Sequence, residues 1–171
     1  MAVETTPVSA RREKTDNNTD LPLMICFVAP SGTGKTTLLE SVVAEMTRRG
    51  HRVGAVKHDA HRIELDTEGK DSWRLRKAGA VSTALMGRNQ MAWFGADDAG
   101  PNLHQVAALY FNDVDLILVE GFRSAELPVI LVQRADHHDE RWVAPDPDRV
   151  VLTVEPDEVE RVIEELERLL K

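Results

Sequence analysis

The chain has 171 residues, enough for one domain with a full hydrophobic core, and its 42% hydrophobic and 29% charged content is ordinary for a globular protein. A net charge of −8 argues against general attraction to nucleic acid or to an anionic membrane surface. The single cysteine, Cys26, excludes an intrachain disulfide; no apolar run reaches the ~20 residues of a membrane helix and no signal-peptide stretch opens the chain, so a cytoplasmic location is expected. Residues 1–20 are polar and aperiodic and read as a disordered tail, or as a segment that orders on a partner. From Leu21 onward strands and helices alternate. Leu23–Val28 is an apolar run between Pro22 and Pro30, suited to a buried strand. Thr36–Arg49 has a helical stripe of Leu38, Leu39, Val42, Val43 and Met46, closed by Gly50. Val53–Lys57 reads as a second buried strand, Asp71–Ala78 as a short helix, Val81–Met86 and Gln90–Phe94 as further strands. Leu103–Phe111 is a helix, Leu116–Val119 a strand running into Glu120, and Pro128–Val132 another strand. Pro145–Asp148 is a turn, Val150–Val154 the last strand and Glu158–Leu170 an amphipathic closing helix. This order predicts an α/β fold: a mostly parallel sheet with helices on both faces, forming one domain over residues 21–171.

The run from Ala29 to Thr37 carries the clearest chemistry. Ser31, Gly32, Thr33, Gly34, Lys35, Thr36 and Thr37 lie between a predicted strand and a predicted helix, the setting of a P-loop. Glycines let successive backbone N–H groups turn inward toward phosphate, and the helix N-terminus adds partial positive charge. Lys35 would reach the β- and γ-phosphates, and the Thr36 hydroxyl would ligate Mg2+. Ala29 stands where the pattern has its first glycine, a departure of one methyl group.

Magnesium held on phosphates also needs protein carboxylates, directly or through water. Glu120 ends the strand that begins at Leu116, and strand C-termini line the ligand crevice in such sheets. Glu120 is therefore expected at the metal and, with Lys35, at the reaction centre; the plainer alternative is a surface carboxylate. Asp59, after the second strand, is a further metal ligand or a loop cap. His58 and His61 fit a phosphate or partner site better than a transition-metal site, and His137 with His138 reads as part of a solvated loop.

A central block follows: Lys57-His58-Asp59-Ala60-His61, then Gly69-Lys70-Asp71-Ser72-Trp73-Arg74-Leu75-Arg76-Lys77-Ala78-Gly79-Ala80. With the Ser31–Leu39 loop and Val119-Glu120-Gly121-Phe122-Arg123, in this order, the chain resembles the molybdopterin-guanine dinucleotide biosynthesis adapter proteins, the MobB family, over roughly residues 23 to 134. The resemblance implies a homodimer that binds GTP, hydrolyses it weakly and assists the guanylyltransferase that attaches GMP to molybdopterin, giving molybdopterin guanine dinucleotide. The basic block makes Lys70, Asp71, Ser72, Arg74 and Lys77, beside His58 and His61, candidates for contacting molybdopterin or the partner enzyme.

For the base, the strand ending at Val132 is followed by Gln133-Arg134-Ala135-Asp136, a loose version of the guanine-reading loop of GTPases. Arg134 would stack on the base and Asp136 accept from its edge; the alternative is an ordinary charged loop. A P-loop small-molecule kinase remains the second reading of the whole pattern, with the basic block holding an anionic substrate.

Overall fold

The structure, a computed structural model, describes residues 21–58, 67–95, 102–137, 139 and 142–171. Twelve elements follow in chain order: β1 (Leu23–Val28), α1 (Lys35–Arg48), β2 (Val53–Lys57), α2 (Asp71–Lys77), β3 (Ser82–Met86), β4 (Met91–Gly95), α3 (Leu103–Tyr110), β5 (Leu116–Glu120), β6 (Val129–Val132), a 3-10 turn at Pro147–Arg149, β7 (Val150–Val154) and α4 (Val159–Leu169). Five strands form one sheet in the order β2-β5-β1-β6-β7, every neighbouring pair parallel.

The apolar runs form strands because both faces of this sheet are covered. Side chains of a strand alternate between faces, and the two cores divide accordingly. Ile25, Phe27, Leu116, Leu118, Ile130 and Val132 pack beneath α1 and α4, against Leu38, Val42, Met46, Val162, Ile163 and Leu166. Met24, Cys26, Val28, Ile117, Val119 and Val129 face the other side, against Leu103 and Ala107 of α3. Burial raises the pKa of the Cys26 thiol, which keeps it unreactive. A second tie joins α1 to α4: Arg49 bonds Glu45 at 2.7 Å, Glu160 at 2.6 Å and Glu167 at 3.2 Å.

Two expectations change. Val53–Lys57 was read as a buried strand, yet only Gly54 in it is buried, because β2 is an edge strand that pairs with β5 alone. The strands at 81–86 and 90–94 do not enter the parallel sheet. They pair with each other as an antiparallel hairpin, β3–β4, and α2 packs on β3.

Candidate functional site

The parallel arrangement brings the C-terminal ends of β1, β2, β5, β6 and β7 to one edge, and the chemistry-bearing residues gather there. The loop from Ala29 to Gly34 joins β1 to α1. Gly34 caps the helix at φ 100°, a left-handed conformation that disfavours side chains. Thr33 is buried, and its hydroxyl donates to the Pro30 carbonyl at 2.8 Å, bracing the loop from inside. Ala29 packs against the core beneath α1, so its methyl group is accommodated.

Sheet register delivers the acidic partner. Phe27 pairs with Glu120 between β1 and β5, and Lys57 pairs with Glu120 between β2 and β5. Glu120 Oε1 accepts from Lys35 Nζ at 2.5 Å and from the Thr36 hydroxyl at 2.9 Å, and Lys57 Nζ lies 3.8 Å from Oε2. Burial pushes the Glu120 carboxyl up, but the hydrogen bonds from Lys35 and Thr36 and the charges of Lys35 and Lys57 outweigh it. The net pKa lies below the usual glutamate value, so the group is a carboxylate at neutral pH.

The turn after β5 is closely fitted. Gly121 takes φ 83°, and a Cβ there would meet the His58 carbonyl oxygen at 2.8 Å. The His58 backbone N–H donates to the Glu120 carbonyl at 2.8 Å, and its ring stacks on Phe122 with centroids 4.1 Å apart and planes 9° from parallel. Further along, the Arg149 guanidinium donates to the carbonyls of Leu127 at 3.0 Å, Arg123 at 3.3 Å and Ala125. Three carbonyls on one guanidinium fix the path of the 123–127 loop.

The loops after β6 and β7 form the other wall. Gln133 N–H donates to the Val154 carbonyl at 2.9 Å, and Ala135 N–H to the Glu155 carboxylate at 3.2 Å. Arg134 grips Asp136 with two bonds of 3.1 Å, and this guanidinium lowers the Asp136 pKa. His137, expected in a solvated loop, is instead half-buried against the phosphate loop: its Cε1 lies 3.9 Å from where a Gly32 Cβ would sit. Pro156 packs on Gly34, 3.2 Å from the corresponding position there.

Of the predicted site residues, Lys35, Thr36, Glu120 and the backbone of His58 thus come together, with Ser31, Gly32, Thr33, Gly34 and Thr37 around them. Arg134 and Asp136 lie in the loop after β6. Lys70, at the start of α2, and Asp71, Arg74 and Lys77 on it are exposed, and Ser72 is buried at 6% exposure. Lys77 Nζ lies 5.3 Å over the Trp73 ring, and Arg74 reaches Asp71 at 3.8 Å. Asp59, His61 and His138 lie outside the described residues. Among the described residues no three His, Cys, Asp or Glu side chains cluster as a metal cage. Glu155, Pro156 and Arg149 were not singled out from sequence, and Lys57 was named only within the central block; the strand-end rule, applied to β7 as it was to β5, points to Glu155 and Pro156.

The family model described as "Molybdopterin guanine dinucleotide synthesis protein B" matches residues 24–155. The chain belongs to the MobB family. Within that family it is 34% identical over 156 residues to the molybdopterin-guanine dinucleotide biosynthesis adapter protein of Haemophilus influenzae, covering 89% of this chain and 85% of that one. Its likeness to the Escherichia coli protein of the same name is 40% over 144 residues, covering 81% and 80%. The crystal structure of a molybdopterin-guanine biosynthesis protein B superimposes with TM-score 0.60 at 26% identity, covering 86% of this chain and 99% of that one. The α/β fold expected from sequence is therefore the MobB fold of P-loop type. Among the described residues no helix is long and apolar enough to cross a membrane.

Proposed function

We propose that this protein is a GTP-binding adapter of molybdenum cofactor biosynthesis, with weak GTPase activity, that assists a guanylyltransferase in joining GMP to molybdopterin. The observation that carries this reading is the meeting of Lys35, Thr36 and Glu120 at the mouth of a braced phosphate loop, in a MobB-family chain. The donor set suits a magnesium–triphosphate: a glycine-bearing loop at a helix N-terminus, one lysine, one hydroxyl and one ionised carboxylate. Bound magnesium would neutralise charge developing on the transferring phosphoryl group. Lys35 would bind the terminal phosphates, while Thr36 and Glu120 would orient the ion. No described side chain at the site stands out as an activator of water, which suits a slow hydrolase that works with a partner enzyme.

The exposed face of α2 is the surface for that enzyme or for the molybdopterin phosphate, with Lys70, Arg74 and Lys77 supplying positive charge on an acidic protein. Self-association would cover the β3–β4 hairpin, where Met86 is 81% and Trp93 55% exposed. A cytoplasmic location suits this role.

Calorimetric titration of GTP and ATP, with magnesium and with EDTA, tests the nucleotide reading. Tighter binding of GTP is expected, strengthened by magnesium and weakened about ten- to hundredfold in Lys35→Ala, the loss of a hydrogen bond to a charged group. Equal GTP affinity in that variant would remove the phosphate-loop assignment.

One feature favours a second reading. A hollow of about 450 Å3, lined by Leu39, Val43, Ala55, Val56 and Leu118, opens beside Thr36 and Glu120 and has the size of a small-molecule acceptor site. A P-loop kinase would use it. Phosphoryl transfer to an added small acceptor, without any partner protein, would establish that reading over the adapter.

A further inference from the structure

We propose that His137 is a nucleotide-binding residue, whose Nε2–H donates to a phosphate oxygen of the bound triphosphate beside Gly32. The proposal rests on the phosphate-loop reading above and adds a residue to it from a different strand end.

Two independent observations carry it. First, His137 reaches the loop: its Cε1, the atom bonded to Nε2, lies 3.9 Å from the Cβ position of Gly32. Second, Nε2 is buried and has no hydrogen-bond partner among the described residues. A buried ring nitrogen without a partner is costly, and native structures keep few of them. Its neighbour is the segment whose glycines shape a phosphate cradle, so an anionic oxygen there would satisfy the orphan nitrogen.

The placement is not a loose loop accident. The His137 N–H donates to the Arg134 carbonyl at 3.1 Å. The same segment is tied to β7 by Gln133 and to the Glu155 carboxylate by Ala135. The ring is thus held at the loop by backbone bonds that do not involve its own nitrogens. The arrangement also links two functions in one segment. Arg134 and Asp136 stand on the base side, and His137, next in sequence, reaches the phosphate side. A nucleotide would engage both through a stretch of four residues, and the phosphate contact would report its arrival to the base-reading side chains.

The test uses the full chain with His137→Ala and His137→Gln, the latter placing an amide N–H near the position of Nε2. GTP and inorganic tripolyphosphate are titrated calorimetrically against each, with Lys35→Ala alongside, and melting temperatures are taken with and without GTP. The expected result is a loss of roughly tenfold or more in affinity for both ligands in His137→Ala, the worth of one hydrogen bond to a charged group. His137→Gln should recover most of it. Without ligand, His137→Ala should melt no lower than the parent, because the substitution removes an unsatisfied buried group, while its stabilisation by GTP shrinks. Tripolyphosphate affinity unchanged in His137→Ala, with Lys35→Ala impaired, overturns the proposal and leaves the phosphate-loop reading standing. Absence of tripolyphosphate and GTP binding by the parent chain overturns both.

Discussion

Lys35 Nζ and the Glu120 carboxylate lie 2.5 Å apart although 85 positions separate them in sequence. The lysine that would bind a triphosphate is paired with Glu120, so phosphate would compete with that carboxylate for it. Bound magnesium would change the balance, because the carboxylate would then have a cation of its own.

Glu120→Gln separates these effects. Without magnesium, the variant should bind GTP about three- to tenfold more tightly, since a competing charge has gone. With magnesium, its hydrolysis should fall well below that of the parent. Paired titrations in EDTA and magnesium, with a phosphate-release assay, decide it; hydrolysis unchanged across a magnesium titration removes Glu120 from the site. The pH dependence follows from the depressed folded pKa of Glu120. A depressed pKa contributes stability that is present above the ordinary glutamate value, about 4.3, and is lost as pH falls through the lower folded value. The melting difference between parent and variant should therefore hold from pH 7 to about 5 and shrink below about 4.

Gly121→Ala addresses the fit of the turn. A Cβ would meet the His58 backbone oxygen at 2.8 Å, at a residue with φ 83°. Left-handed backbone at a non-glycine residue alone costs about 1–3 kcal/mol. Gly50→Ala is the control: its φ is 94°, but nothing lies within 4 Å of its Cβ position. Urea unfolding should show a clearly larger loss for Gly121→Ala, together with weakened GTP binding through displacement of Glu120. Equal losses at the two positions would mean that the approach of His58 has no consequence.

Asp136→Asn concerns the base. Arg134 holds the Asp136 carboxylate through two bonds, at the end of the loop that follows β6. An amide presents a donor where guanine also presents donors, so the preference for GTP over ATP should drop by about tenfold. A GTP/ATP ratio unmoved by the substitution leaves residues 133–136 as an ordinary charged loop.

Reversal of Arg74 and Lys77 to glutamate probes the adapter surface. Both are exposed on α2, which packs on β3 of the hairpin. GTP affinity should stay within about twofold of the parent, while stimulation of guanine dinucleotide formation in a reconstituted assay should be lost. Collapse of GTP binding would place α2 at the nucleotide; no change in either property would make it a solvated face.

What the sequence revealed divides along physical lines. β1, β5 and β6 were legible because strands covered on both faces leave continuous apolar runs, and the phosphate loop because its glycines and lysine have a fixed spacing. Glu120 followed from one rule about strand ends. The edge position of β2 was not legible: Val53, Ala55 and Val56 are apolar, yet which strands flank a strand is decided by topology far along the chain. The hairpin escaped for a similar reason, since β3 and β4 read as strands without revealing their pairing. His137 was misread because a pair of histidines among acidic residues looks solvated. Its contact with Gly32 joins positions on different strand ends and has no local signature.

The parallel sheet also leaves an opposite end, where strands begin and α1 and α4 finish. There Arg52 N–H donates to the Asp115 side chain at 2.8 Å, and Gly50 lies exposed with open space around it. None of the proposed nucleotide contacts belongs to that end. Because Cys26 is wholly buried and is the chain's single cysteine, a cysteine introduced at Lys171 would offer one accessible thiol. A fluorophore or surface tether attached there would leave the nucleotide edge and α2 unencumbered, so the same labelled preparation can serve titration, assembly and partner-capture measurements.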